Sequence, residues 1–218
     1  MRRRAGAAIA GVAALLVSGV AAPAQERGGR SGTFDFYVLA LSWSPAFCES
    51  TGHSRASAQC DPGRRLGFVV HGLWPQYERG YPSDCDSRSA PRYVIDETAD
   101  VFPDSGLARH QWRKHGTCSG LDPASYFRAV RRARDLVRIP EPLQSISRDG
   151  QTTGQSVERA FAEVNPGLRP DMMAVTCRRG ELREVRICLE KDLSGFRRCA
   201  QVDQEACRFG PIRVTAPR

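Results

Sequence analysis

Apolar side chains fill consecutive positions in residues 33–43 (TFDFYVLALSW). A strand with one wet face alternates apolar and polar residues, whereas one apolar at both parities belongs in a sheet covered on both faces. Ser44-Pro45 closes this segment. Residues 66–71 (LGFVVH) predict a second strand, stopped by Gly72 and Pro75. Residues 77–91, rich in Gly, Pro, Ser and Asp, predict a long loop.

The period then lengthens. Residues 93–101 form a modest helix candidate closed by Pro103. Ser105 is positioned to cap a helix running to about His115, with Gly116 as its stop. Asp122-Pro123 supplies a cap and a first-turn proline, and Tyr126, Phe127, Val130, Ala133, Leu136 and Val137 follow at helical spacing until Pro140. Val157, Ala160, Phe161 and Val164 predict another amphipathic helix, closed by Asn165-Pro166-Gly167. Residues 173–177 and 182–189 read as a hairpin turning at Arg178-Arg179-Gly180. In its second strand Val185, Ile187 and Leu189 alternate with Glu184, Arg186 and Cys188. Residues 212–214 predict a short closing strand. Strands at both ends with helices between them predict an α+β domain, an antiparallel sheet packed with helices.

Before the first strand, Met1 and three arginines lead into an Ala/Val/Leu stretch ending Ala22-Pro23-Ala24. That is the layout of a secretory signal, with cleavage expected after Ala24 and export to the periplasm or the medium. A retained membrane anchor is the weaker reading, because the stretch is Ala/Gly-rich and barely long enough to span. Residues 25–32 (QERGGRSG) read as a flexible lead-in, and residues 33–218 as one domain. Apolar content of 41% and charged content of 26% exclude both a disordered tail and a polytopic membrane protein. Arg2, Arg3 and Arg4 carry three of the +8 charges, so the mature chain is near +5, which favours polyanions. Lys114 and Lys191 are its only lysines.

Eight cysteines in an exported chain read as four disulfides, and none of their spacings offers the C-x-x-C pairs of a zinc site. Eight cysteines permit about 105 pairings, among which Cys48 with Cys60 would be a local loop closure.

The four histidines are His53, His71, His110 and His115. His53 lies among Gly, Ser and Arg and carries no signal. On a helix at about 100° per residue, His110, Gln111, Lys114 and His115 share one face, while Trp112 and Arg113 leave it. Two imidazoles and an ammonium on one side suit proton transfer beside a fixed positive charge. His71, at a strand end, is by itself as readily a satisfied histidine. Trp74 three residues later, and the second cluster, favour a site. Trp74 could equally plug the core. His110 could hold the helix rather than a phosphate. Trp112 and Trp43 read as packing, and Arg128, Arg131, Arg132 and Arg134 as the wet face of a helix. Two imidazoles and an amine match RNA cleavage by internal transfer: one ring takes the 2′-hydroxyl proton, the other protonates the departing 5′-oxygen, and the cation steadies the phosphoryl charge. DNA lacks the nucleophile.

FVVHGLWPQ (residues 68–76) and HQWRKHGTC (residues 110–118) resemble the two active-site segments of the ribonuclease T2 family, secreted transferase-type endoribonucleases. The likeness extends to TFDFYVLALSWSPAFC and, more loosely, to NPGL, MAVTC and EVRICL, so it covers most of the mature chain. It implies a fold of the same α+β class, acting as a monomer on single-stranded RNA with no cofactor and no metal. It further implies that His71 and His115 are the acid–base pair, with the starting base left open. Lys114 would stabilise the phosphorane, His110 would bind phosphate and Trp74 would line a base pocket. Products would be 2′,3′-cyclic phosphates, later opened to 3′-phosphates. The resemblance also pairs Cys85 with Cys118, tying the loop after His71 to the second segment, and nests Cys188–Cys199 inside Cys177–Cys207. Two rival readings remain. An RNA-binding module would cut poorly, and a metal-dependent nuclease would need carboxylate ligands that neither segment contains.

The chain departs from the family at Gln111, where a glutamate is usual. Glutamine keeps hydrogen-bonding capacity without the charge that raises the proton affinity of nearby imidazoles. Activity is therefore expected to persist with weaker transition-state stabilisation and a lower working pH. Gln111→Glu should raise the rate and move the pH profile upward; an identical profile and rate would overturn this.

Overall fold

The computed structural model of the chain describes residues 26–52 and 56–218. The leader and His53 therefore lie outside the described residues. In chain order the elements are β1 (Glu26–Arg27), β2 (Phe36–Trp43), α1 (Ser44–Phe47), β3 (Phe68–Gln76), β4 (Pro82–Ser83), α2 (Arg92–Asp96), α3 (Ser105–Lys114), α4 (Pro123–Asp135), α5 (Glu141–Gln144), β5 (Gly150–Thr152), α6 (Gly154–Val164), β6 (Met173–Arg178), β7 (Glu181–Glu190), α7 (Ala200–Asp203) and β8 (Ile212–Val214). The order strands–helices–strands gives the expected α+β domain.

One sheet runs β3-β2-β7-β8-β5, with β6 also on β7. Its pairs are antiparallel except β7 with β8, which meet in parallel at Glu181 and Arg213. The expected antiparallel sheet is therefore mixed, and β1 and β4 form a separate parallel pair. As both parities of β2 demand, both its faces are covered. Tyr37, Leu39, Leu41 and Trp43 enter a large core with Ala108 and Trp112 of α3, Tyr126 and Val130 of α4, and Val157 and Phe161 of α6. Phe36 and Val38 face a second, smaller cluster with Ala174, Val202 and the Cys188–Cys199 disulfide. Nothing but the helical side of the sheet carries the bulk of the apolar burial, so the other face is free to hold a cleft.

Strand β3 does not stop at Gly72; it runs on through Pro75 to Gln76. It is an edge strand, where a missing proline N–H costs no ladder bond. Gly72 sits inside the strand because a Cβ there would lie 2.1 Å from Gln111 Oε1 and 2.4 Å from Trp74 Nε1. Opposite β2, Ala40 pairs with Gly72 but Leu41 pairs with Val70, so His71 is the extra residue of a β-bulge. The bulge resets the alternation: Val70 and Leu73, three apart, both enter the large core.

The helix over the second motif begins one residue earlier than expected. Asp104 rather than Ser105 is its cap, accepting from the N–H groups of Gly106 and Leu107. Asp122 caps α4 as expected. Gly116 is no left-handed stop either. It opens a 3₁₀ turn, and its bare Cα is required because a Cβ would lie 2.5 Å from the Trp112 ring and 3.0 Å from Tyr126. The 173–190 hairpin turns through positive φ at Arg179 and Gly180. Residues 26–32, read as a free lead-in, are instead docked. Gly28 N–H donates to Ser83 O, Gly32 N–H to Cys118 O and Ser31 Oγ to Thr117 O. Lys191 Nζ adds bonds to the carbonyls of Gly32 and Phe34. This segment has no apolar period, so pairing through its backbone left no trace in the sequence.

All four disulfides form as expected: Cys48–Cys60, Cys85–Cys118, Cys177–Cys207 and Cys188–Cys199. Closing the loop of the second is worth on the order of 3–4 kcal/mol in the chain-entropy model. Gly116→Ala overfills the junction of Trp112 and Tyr126 and is expected to cost about 1–3 kcal/mol. Urea denaturation measures it, and an unchanged midpoint would contradict the packing.

Candidate active site

The bulge in β3 and the C-terminal end of α3 bring the two motifs to one cleft. His71, Trp74, His110, Gln111, Lys114 and His115 all line a cavity of about 360 Å³. A second cavity of about 580 Å³ shares His71 and His110 and continues past Ser42, Leu107 and Arg183. The cleft thus has two lobes meeting at two imidazoles. Residues that share a helical face in sequence reach the first lobe together, although His115 lies one residue beyond α3.

Trp74 stands between the two histidine segments. Its ring stacks on His115 at 5.2 Å between centroids and meets His71 edge-on, also at 5.2 Å. The Arg186 guanidinium sits 5.3 Å from its centroid. Its Nε1 donates to Gln111 Oε1 at 2.8 Å. Trp74 both lines the cavity and packs on the smaller cluster, so the two readings open in the sequence coexist. Gln111, 1% exposed, spends its carbonyl oxygen on holding that indole.

The two histidines sit in opposite electrostatic settings. His115 is 5% exposed, and its Nδ1 is buried without a hydrogen-bond partner among the described residues. Burial, then the positive charges of Lys114, His71 and His110, hold its proton affinity well below the usual imidazole range. His71 is half-buried, and its Nδ1 lies 2.5 Å from Glu184 Oε1. Burial alone would raise Glu184, but the hydrogen bond and charge of His71, with Arg186, bring it down to about 2. Each ring has one nitrogen committed or enclosed, which leaves Nε2 to exchange protons.

Lys114 has no acidic partner among the described residues, so its charge is available to the cavity. His110 is exposed, with Nδ1 3.3 Å from an Arg113 nitrogen. Burial, followed by the charges of Arg113, Lys114 and His71, lowers its proton affinity. Trp112 and Trp43 are core, each donating its indole N–H to a carbonyl, of Arg88 and Thr215. Arg131 is tied to Asp100, Arg132 to Leu193 O and Arg134 to Val137 O, so these arginines brace the surface of α4.

Glu184 and Arg186 escaped the reading of the sequence. Their signal was present: two charged residues alternate with Val185 and Ile187 in a strand whose other face is core. Tyr81, 6.1 Å from the His115 ring, came from an unpatterned loop and offered none. Among the described residues no cluster of three or more His, Cys, Asp or Glu side chains could hold a metal ion. No helix among them is long and apolar enough to cross a membrane.

Known proteins share this architecture and sequence. The model of the ribonuclease T2 family matches residues 34–199. A ribonuclease of Aeromonas hydrophila is 38% identical over 166 residues, covering 75% of each chain. Ribonuclease DdI of Dictyostelium discoideum is 27% identical over 196 residues, covering 82% of this chain and 83% of its own. The RNase-related protein from Calystegia sepium has a similar fold, with a TM-score of 0.65 at 22% identity over 84% of this chain and 97% of that one. With the family model spanning both histidine segments and every strand of the main sheet except β8, the chain belongs to the ribonuclease T2 family.

Proposed function

We propose that this T2-family ribonuclease cleaves single-stranded RNA by transfer to the 2′-oxygen, with His115 as the starting base and His71 as the starting acid. One observation carries the reading: two imidazoles from separate elements line one cavity beside an ammonium, and among the described residues that ammonium has no acidic partner and one of the two rings touches a carboxylate. A base must begin neutral, which suits the buried, cation-flanked His115. An acid must begin protonated, which suits a ring whose Nδ1–H faces a carboxylate.

The steps balance. His115 Nε2 takes the 2′-hydroxyl proton as O2′ bonds to phosphorus. The P–O5′ bond breaks, and O5′ leaves with the proton of His71. Lys114 offsets the charge gathering on the non-bridging oxygens, and His110, at the junction of the lobes, meets the phosphate. In the second step His71, now neutral, takes a proton from water, whose oxygen opens the 2′,3′-cyclic phosphate. His115 returns its proton to O2′, leaving a 3′-phosphate. No metal ion or cofactor takes part in this scheme, and DNA, lacking the 2′-hydroxyl, stays intact. The nucleotides on either side of the broken bond would lie one in each lobe. Such placement requires splayed bases and so favours single strands. Trp74 lines the base-binding lobe, with its ring also spacing the two imidazoles. Gln111 acts through that indole rather than on the phosphate. Four disulfides suit an oxidising compartment, so the enzyme works as a secreted or periplasmic protein.

Incubation of the protein with a defined RNA oligonucleotide and a chelator should yield cyclic phosphate ends first and 3′-phosphates later. His115→Ala should lower kcat/KM by about 10²–10⁴. Because His115 is held neutral, the acidic limb of the kcat/KM profile should fall below the ordinary imidazole value of 6.5. RNA that shifts in a gel without shortening, or cleavage abolished by the chelator, would overturn the proposal.

A further inference from the structure

Glu184 lies at the centre of β7, on the sheet face opposite the large core, and pairs across the ladder with Ser42 of β2. Its side chain is 12% exposed, an expensive place for a carboxylate unless both oxygens are satisfied. Both are. Oε1 lies against His71 Nδ1 at 2.5 Å, and Oε2 accepts from Arg186 Nε at 2.9 Å. Arg186 is itself fixed by an ion pair with Glu205 and by the Trp74 ring.

We propose that Glu184 is the positioning residue of His71: it holds the Nδ1–H tautomer and turns Nε2 into the cleft, toward the leaving oxygen. The inference rests on His71 being the acid. Among the described residues, the other charged groups that line the cleft around that ring leave the role to Glu184. His110, Lys114 and His115 come from α3 and its end, Arg178 from β6, and Arg183 and Arg186 from β7; all of these are basic. Two other carboxylates line the cleft. Asp104 is committed to capping α3, and Glu205 to Arg186. With Gln111 neutral, the carboxylate that touches an imidazole here arrives from the sheet rather than from the motif helix.

Glutamine at 184 cannot serve both neighbours, since one end of its amide would present N–H groups to a donor. Glu184→Gln should therefore lower kcat on a dinucleotide about ten- to a hundredfold, part of the roughly 10²–10⁴ that such proton transfer contributes, with KM little changed. Glu184→Asp should recover some of the loss. The decisive comparison uses uridine 3′-(4-nitrophenyl phosphate), whose phenolate leaves without a proton. On that substrate Glu184→Gln and His71→Ala should both stay near the parent rate, which also shows the variants folded. If His71→Ala spares the aryl ester but Glu184→Gln slows both substrates equally, or slows neither, Glu184 does not position the acid. If His71→Ala itself slows both equally, the assignment of His71 as acid fails first.

Discussion

Strand β3 carries one residue more than β2 can pair, and that surplus residue is His71. A side chain in a regular ladder is committed to one face by parity, whereas a bulged residue is aimed by the local kink. The consequence reaches beyond His71. Leu73 turns to the large core, and Trp74 turns to the smaller cluster, where its ring spaces His71 from His115. Gly72 leaves room for Gln111 to approach and hold that indole. Tyr126 then fixes the edge by donating its hydroxyl proton to Leu73 O at 2.9 Å.

Around that frame the charges are arranged unequally. To the first lobe α3 and its end bring two imidazoles, an ammonium and an amide, and the charges of Lys114, His71 and His110 oppose protonation of His115. β7 brings Glu184, which accepts from His71, and Arg186, which keeps the carboxylate ionised. The same chemical group is thus placed in two settings, one among cations and one against a carboxylate, as the proposed base and acid would require. The neutral residue at 111 leaves His115 without a carboxylate that would raise its proton affinity.

The second segment is held from several directions. Cys118 is tied to Cys85, Gly116 nests against Trp112 and Tyr126, and the docked N-terminal residues bond to Thr117 and Cys118. Four independent restraints within four residues of His115 limit how far its ring can move. The proposed proton-transfer pair would need that restraint, because rate falls steeply when reacting atoms drift by an ångström.

The sequence by itself determined the covered strand at β2, the capped helix at α4, the hairpin of β6 and β7 and the residues of the two motifs. These rest on local information: apolar period, cap and turn chemistry, and rare side chains in a short run. It misjudged what depends on partners. Gly72 and Pro75 look like a strand end, but an edge position excuses the proline and a close neighbour demands the glycine. Residues 26–32 look free because backbone pairing leaves no side-chain pattern. Glu184 and Arg186 were visible as an alternating polar face, yet their meeting with His71 required β7 to lie beside β2 and β3 to bulge. The contact of Glu184 with His71 joins residues 113 apart in sequence, which only the tertiary structure decides.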